Sequence, residues 1–375
     1  EDSADPRGSS VVTSKLSVCL FATALGAAVL PPSGASAAEL ATPRAAFVLS
    51  LRDATTDDDR TERPRHAVAT AVAVSPDGAF VAAGGDDHCV RLWDTLSGEE
   101  IARLEGHEDW VRGLQVSPDG ERLASVANDA TLRFWSPKTG QPTTEPLRLG
   151  RGPLSAVAFR PQEEQVLTVG FRTPLQVFDL GNAGVSNEYA CACEDTRSIA
   201  VSPNGRWAAA AGRNGRLRVW DLHAGRALPD VPAETQRIHS VVFSPTGDII
   251  ATGGDSRRVR FWNPADGELL AELPTDTTKI RSLLFLSSEQ LAVGGVDNTL
   301  SVWSISSRLP THRLIGHTGT VESLACDASG RVLASASYDT TVRVWRLGRP
   351  GVHEAASANG DDANGDATES GVELR

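Results

Sequence analysis

The chain has 375 residues, 40% of them hydrophobic, enough for a substantial buried core. Its formal net charge of -12 argues against general nucleic-acid binding, which needs a basic face. The five cysteines, Cys19, Cys89, Cys191, Cys193 and Cys326, have neither zinc-type nor haem-type spacing, and Cys191 and Cys193 read as two small hydrophobes on one face of a strand. In chain order, residues 1–40 come first as a leader. Leu16 to Leu30 is an uncharged apolar run behind Arg7 and Lys15, ended by Pro31-Pro32 and followed by Gly34-Ala35-Ser36-Ala37-Ala38. A basic flank, a short apolar core and an Ala-x-Ala pattern describe a secretory signal peptide ending near Ala37. The run is shorter than the about 20 residues of a spanning helix, although a domain upstream of residue 1 would turn it into an anchor. The expectation is export or membrane anchoring, with the rest of the chain outside the cytoplasm. A cytoplasmic protein with a plain Ala-rich leader is the alternative.

From residue 66 to 346 the chain repeats itself. Gly106 to Trp135 shows the unit most clearly. Leu114 and Val116 alternate with polar neighbours, Ser117-Pro118-Asp119-Gly120 turns the chain, Leu123 and Ala124 open a second run, and Asn128-Asp129 turns again before Leu132, Phe134 and Trp135. Period-two apolar patterning between turn residues predicts an antiparallel meander. The third-run markers are Trp93, Trp135, Phe178, Trp220, Trp262, Trp303 and Trp345, about 42 residues apart. The first turn keeps phase as SPDG at Ser75 and Ser117, SPNG at Ser202, SPTG at Ser244 and DASG at Asp327, with eroded copies at Arg160 and Leu286. A sheet of three or four such strands cannot bury both faces alone, so the copies must stack. The tail, 349–375, has few large apolar residues and reads as disordered.

The pattern GH…SPDG…LAS…D…W, seen at Gly106-His107 to Trp135 and, with DASG in the turn, at Gly316-His317 to Trp345, resembles the WD40-repeat family. The resemblance implies an all-β fold over residues 41–348: a seven-bladed β-propeller of four-stranded antiparallel blades, one blade per repeat. In the family an N-terminal strand completes the last blade. Here Ala46 to Leu51 is the candidate for it, with residues 61–66 second. The resemblance also implies a buried relay within a blade. Its residues are complete twice, as His107, Ser125, Asp129 and Trp135, and as His317, Ser335, Asp339 and Trp345. Recurrence in phase on two blades favours this structural role over a catalytic triad. The other repeats lack members, so their blades are expected to rely on apolar packing. The third repeat, with Phe178 for Trp and Arg172 for Asp, is expected to be the irregular one.

The family uses its narrow top face for docking, at three positions per blade. The first set here includes Trp110, Pro153, Asp195, Arg237 and Lys279. The second is Thr70, Arg112, Ser155, Arg197, His239, Arg281 and Glu322, and the third includes Phe171, Arg213, Asp255 and Tyr338. Arg with large aromatics is the composition of binding hot spots, and Arg pairs bidentately with carboxylate or phosphate. The expected partner site is therefore Trp110, Arg112, Phe171, Arg197, Arg213, Arg237, His239, Lys279, Arg281 and Tyr338, reading an acidic or phosphorylated peptide across blades 2 to 6. The chain reads as a non-catalytic interaction scaffold with a monomeric propeller, no cofactor and no metal. Its eight His are scattered, and no GxSxG, HExxH or phosphate loop occurs. A regulatory propeller in a larger membrane-anchored signalling protein is the alternative, and a propeller enzyme a more distant one.

Overall fold

The computed structural model describes residues 43–51, 67–149, 152–181, 184–189 and 195–348. The leader, residues 61–66, Cys19, Cys191, Cys193 and the tail lie outside them. Every regular element among the described residues is a strand, and the strands form seven separate antiparallel sheets. Blade 1 is β2 (Ala69–Val74), β3 (Phe80–Gly85), β4 (Val90–Asp94) and β5 (Glu100–Leu104). Blade 2 is β6 (Val111–Val116), β7 (Leu123–Ala127), β8 (Thr131–Ser136) and the short pieces β9 (Gln141–Pro142) and β10 (Leu147–Arg148). Blade 3 is β11 (Leu154–Arg160), β12 (Gln165–Gly170), β13 (Thr173–Asp179) and β14 (Gly184–Tyr189). Blade 4 is β15 (Thr196–Val201), β16 (Trp207–Gly212), β17 (Arg216–Asp221), β18 (Arg226–Ala227) and β19 (Val231–Pro232). Blade 5 is β20 (Ile238–Phe243), β21 (Ile250–Gly254), β22 (Arg258–Trp262) and β23 (Leu269–Pro274). Blade 6 is β24 (Ile280–Phe285), β25 (Gln290–Gly295), β26 (Leu300–Ser304) and β27 (Pro310–Arg313). Blade 7 is β28 (Val321–Cys326), β29 (Val332–Ser337), β30 (Thr341–Arg346) and, from the start of the propeller, β1 (Phe47–Ser50).

β1 pairs antiparallel with β30, Phe47 opposite Val344 and Ser50 opposite Thr341. The chain's first described strand thus completes its last blade. The inner strands β2, β6, β11, β15, β20, β24 and β28 pack in cyclic order, with β28 against β2, and the ring is shut.

The core lies between blades rather than within one. Each of the seven seams holds its own apolar cluster, and each is plugged by the marker aromatic of the following blade. Trp135 packs with Val90, Leu92 and Leu104 of blade 1, and Trp345 with Leu300, Val302 and Leu314 of blade 6. Trp93 sits in the closing seam beside Leu49 and Leu51. Phe178 does the same work in its seam, with Phe134 and Phe159 around it. This is why one large aromatic recurs in every repeat: a seam is buried only when two blades meet on it.

Blade 3, expected to be irregular, keeps four strands in one sheet, but its β12–β13 pairing shifts register between Thr168 and Gly170, where the matching pairs of the other blades run unbroken. The loss of its Trp and Asp removes polar markers while leaving the apolar seam intact. The irregular outer strands are in blades 2 and 4, where each breaks into two short pieces. Pro142 and Pro146 in one, and Pro229 and Pro232 in the other, cannot donate to a ladder, so the pairing is interrupted there.

Candidate functional site: the top mouth of the channel

All seven inner strands carry a register shift at their second position. Ala69 faces Gly85 and Ala71 faces Gly84, which leaves Thr70 as the extra residue; the same offset brackets Arg112, Ser155, Arg197, His239, Arg281 and Glu322. A bulge of this kind re-aims a side chain. The seven bulge residues line one cavity of about 240 Å³ at the channel's top mouth. Close backbone approach holds the rim above it. A Cβ at Gly212 would lie 1.9 Å from the Asp195 carbonyl oxygen, and one at Gly254 would lie 1.9 Å from that of Arg237. Glycine is therefore required at both places. The other end of the channel is different, a cavity of about 610 Å³ lined by apolar residues such as Val74, Pro118, Phe243 and Phe285. Cys326 also lines it, and burial pushes its thiol up to about 12.

The mouth is electrostatically uneven. On blades 5 to 7 its charges neutralise one another. Arg281 donates from Nε and Nη2 to the two carboxylate oxygens of Glu322, both at 2.6 Å, and its Nη1 lies 3.1 Å from His239 Nδ1. The other ring nitrogen of His239 lies 3.1 Å from Asp255, and Lys279 Nζ sits 3.4 Å from the same carboxylate oxygen. With Arg281 donating to Nδ1, His239 is neutral and donates from Nε2 to Asp255. Burial and the positive charge of Arg281 hold the imidazole below its ordinary titration range, although Asp255 pulls the other way. Burial opposes the charge on Arg281, but hydrogen bonds and attraction from Glu322 outweigh it and keep the guanidinium charged. Burial likewise works against the Asp255 carboxylate, and His239 and Lys279 hold it below the usual range.

On blades 2 to 5 the balance differs. Arg112 has no carboxylate partner among the described residues, and its guanidinium lies 5.9 Å from the centre of the Trp110 ring. Arg197 is paired with Asp195 through Nε and Nη2, at 2.7 and 3.1 Å. The side chains of Arg213 and Arg237 are exposed and have no partner among the described residues. Their loops touch, since Glu234 N–H donates to the Gly215 carbonyl at 2.8 Å and Gly215 packs on the Gln236 carbonyl. Trp110, Phe171 and Tyr338 are 39%, 40% and 40% exposed.

The expectation that the named basic residues are all available to an acidic peptide therefore needs correction. Of the charges placed there by the sequence, Arg197, Lys279 and Arg281 are partnered by Asp195, Asp255 and Glu322, and His239 is neutral between Arg281 and Asp255. Arg112, Arg213 and Arg237 remain without a counter-ion among the described residues. All three acids stood in the same docking sets as the bases. The Asp195-x-Arg197 spacing, which keeps an acid and a base two residues apart at the bulge, was a signal for the first pair.

Away from the mouth, His107 bridges Asp129 at 2.9 Å and Ser125 at 2.7 Å, and Trp135 donates to Ser125 at 2.8 Å. In blade 7, His317 bridges Asp339 at 2.8 Å and Ser335 at 2.7 Å, and Trp345 donates to Ser335 at 2.9 Å. Burial works against the Asp129 carboxylate, but hydrogen bonds from His107, Thr131 and the Glu108 amide hold it well below the usual range; His317, Thr341 and Thr318 do the same for Asp339. The other blades do not rely on apolar packing alone, contrary to expectation. Trp262 keeps its bond to Thr252, and Trp303 turns to Ser301. Arg91 pairs with Asp87, Arg218 with Asp230, and Arg260 with Glu272. In blade 4, where Ala210 replaces the hydroxyl, the Trp220 indole N–H has no partner among the described residues.

A family model described as the IFT122 first beta-propeller matches residues 67–311, and one described as WD domain, G-beta repeat, matches residues 308–346. The chain belongs to the WD-repeat β-propellers. A stretch of 44 residues is 52% identical to a probable serine/threonine-protein kinase, PkwA, of Thermomonospora curvata, covering 12% of this chain and 6% of that protein. The nuclear distribution protein PAC1-2 of Postia placenta is 45% identical over 42 residues, 11% of this chain and 10% of its own. The ribosome biogenesis protein YTM1 of Chaetomium globosum is 32% identical over 80 residues, 20% and 16% of the two chains. The chain thus spans only a small part of each of these relatives. Among the described residues no group of three or more His, Cys, Asp or Glu is placed to hold a metal ion, and no helix is long and apolar enough to cross a membrane.

Proposed function

We propose that this WD-repeat propeller is a non-catalytic docking scaffold whose top face, over blades 2 to 5, binds an acidic or phosphorylated segment of a protein partner. One observation carries the reading. Arg112, Arg213 and Arg237 stand without carboxylate partners among the described residues, on the face that also exposes Trp110 and Phe171, in a chain of net charge -12. Arginine and aromatic side chains are what binding hot spots are made of, and cations left unpaired on an acidic protein attract anions selectively. The relatives named as nuclear distribution and ribosome biogenesis proteins are consistent with work inside protein assemblies. The test is affinity capture with the double variant Arg213→Glu and Arg237→Glu. Recovery of acidic partners should fall at least tenfold, and wild-type capture should weaken as salt rises. Capture that is equal for variant and wild type would refute the reading.

A second reading has one observation behind it. The stretch similar to a probable serine/threonine-protein kinase fits a regulatory propeller carried on a signalling protein. The full-length gene product decides this: a kinase-type domain on the same polypeptide supports it, and a polypeptide with none contradicts it.

A further inference from the structure

We infer that the open side of the channel mouth, bounded by Arg112, Ser155 and Arg197, is an anchor pocket for one anionic side chain of the partner, flanked in that partner by large apolar residues seated on Trp110 and Phe171. The inference rests on the docking reading above and names the chemistry that the docking face selects.

Size comes first. The cavity of about 240 Å³ is smaller than the about 300–1,000 Å³ of pockets for drug-sized ligands. It holds a side chain, not a folded element. Charge decides which one. Glu322 is the only acid among the seven bulge residues, and both of its oxygens accept from Arg281 at 2.6 Å, so the pair is neutral. His239 has both ring nitrogens occupied. That half of the mouth is balanced in charge, Lys279 standing against Asp255 and Arg281 against Glu322. Across the cavity, Arg112 lacks a carboxylate partner, and the Ser155 hydroxyl has no partner among the described residues. Arg197 uses Nε and Nη2 on Asp195 and keeps Nη1 free of any bond to the described residues. These groups are donors on three successive blades that line one side of a small cavity. A carboxylate or phosphate satisfies them, and a partner's Lys or Arg would meet like charge.

The aromatics border this same side. Trp110 lies two residues before Arg112 and beside its guanidinium. The Phe171 N–H donates to the carbonyl of Pro153, two residues before Ser155, at 2.9 Å. An anionic residue in the pocket therefore places its sequence neighbours over exposed rings, which bury well against large apolar side chains. Tyr338 sits across the mouth, on blade 7.

Pools of acetylated, amidated pentapeptides, random except for a central Glu, phosphoserine, Gln or Lys, test this on the full chain. The Glu or phosphoserine pool should bind at least fivefold more tightly than the Gln and Lys pools, with large apolar residues enriched beside the centre. Whichever of the two wins distinguishes carboxylate from phosphate. Arg112→Gln, and independently Ser155→Asp, which fixes a carboxylate in the pocket, should erase the preference while the melting temperature stays unchanged. Equal retention of all pools overturns the inference, as does an acidic preference that survives both variants. If that surviving preference is lost in the Arg213→Glu, Arg237→Glu protein, the docking face stands and only the pocket falls. If no variant changes binding, both readings fall.

Discussion

The two sides of the channel mouth are built from the same seven bulges and end in opposite electrostatic states. On blades 5 to 7, Lys279, Asp255, His239, Arg281 and Glu322 form one continuous chain of ion pairs and hydrogen bonds that joins three blades. On blades 2 to 4, among the described residues, Arg112 meets the Trp110 ring but no carboxylate, Arg197 is held by its near neighbour Asp195, and the Ser155 hydroxyl has no partner. The first arrangement ties blades to one another. The second leaves donors for something else. A charge on a docking face is therefore informative only after its neighbours are known.

The largest expected effect that separates the two sides is on stability. Arg281→Ala strands the partly buried Glu322 carboxylate and breaks the bond to His239, and should cost about 1–3 kcal/mol in chemical denaturation. Arg112→Ala removes no ion pair and should stay within about 0.5 kcal/mol. Equal costs would erase the distinction between the sides.

A smaller effect is expected with pH. His239 titrates below its ordinary value when folded. Below pH 6.5, the unfolded chain therefore takes up a proton at this residue that the folded chain does not, and stability falls with pH until the folded imidazole is also charged. The groups facing it are Arg281, Asp255, Glu322 and, through Asp255, Lys279. His239→Gln should lose this part of the pH dependence. A second decline, at more acid pH, comes from the carboxylates held below the usual range, among them Asp129, Asp339 and Asp255, and His239→Gln should retain the part due to Asp129 and Asp339. Superimposable curves for variant and wild type between pH 7 and 5 would contradict the assignment of His239 as a neutral link.

Much of the ring was legible in the sequence because it is periodic and each period carries its own reason. A large aromatic fills every seam, a Pro- or Gly-bearing turn follows nearly every inner strand, and Phe47 to Ser50 supplies the strand that blade 7 lacks. The irregularity of blade 3 is confined to the β12–β13 pairing, next to the turn that lost its Asp, while Phe178 preserved the seam; the broken outer strands of blades 2 and 4 were not foreseen. Pro142, Pro146, Pro229 and Pro232 were the visible breakers. The mouth was half legible. Its seven positions followed from the resemblance, yet the bulges that aim them leave no residue signature. The link from Arg281 to Glu322 spans 41 positions across a blade boundary, which no local pattern encodes. Asp195 and Arg197, two residues apart in the chain, were the exception.

The most direct measurement of the central claim, that the charges left unpaired at the mouth are what a partner meets, is the affinity of the Glu322→Gln protein for the Glu-centred peptide pool. Removing that carboxylate charge unmasks Arg281 and extends the anion-binding side across blades 6 and 7. The account predicts binding about two- to tenfold tighter than wild type, at most about 1.4 kcal/mol. Unchanged or weaker binding by a folded variant would contradict it.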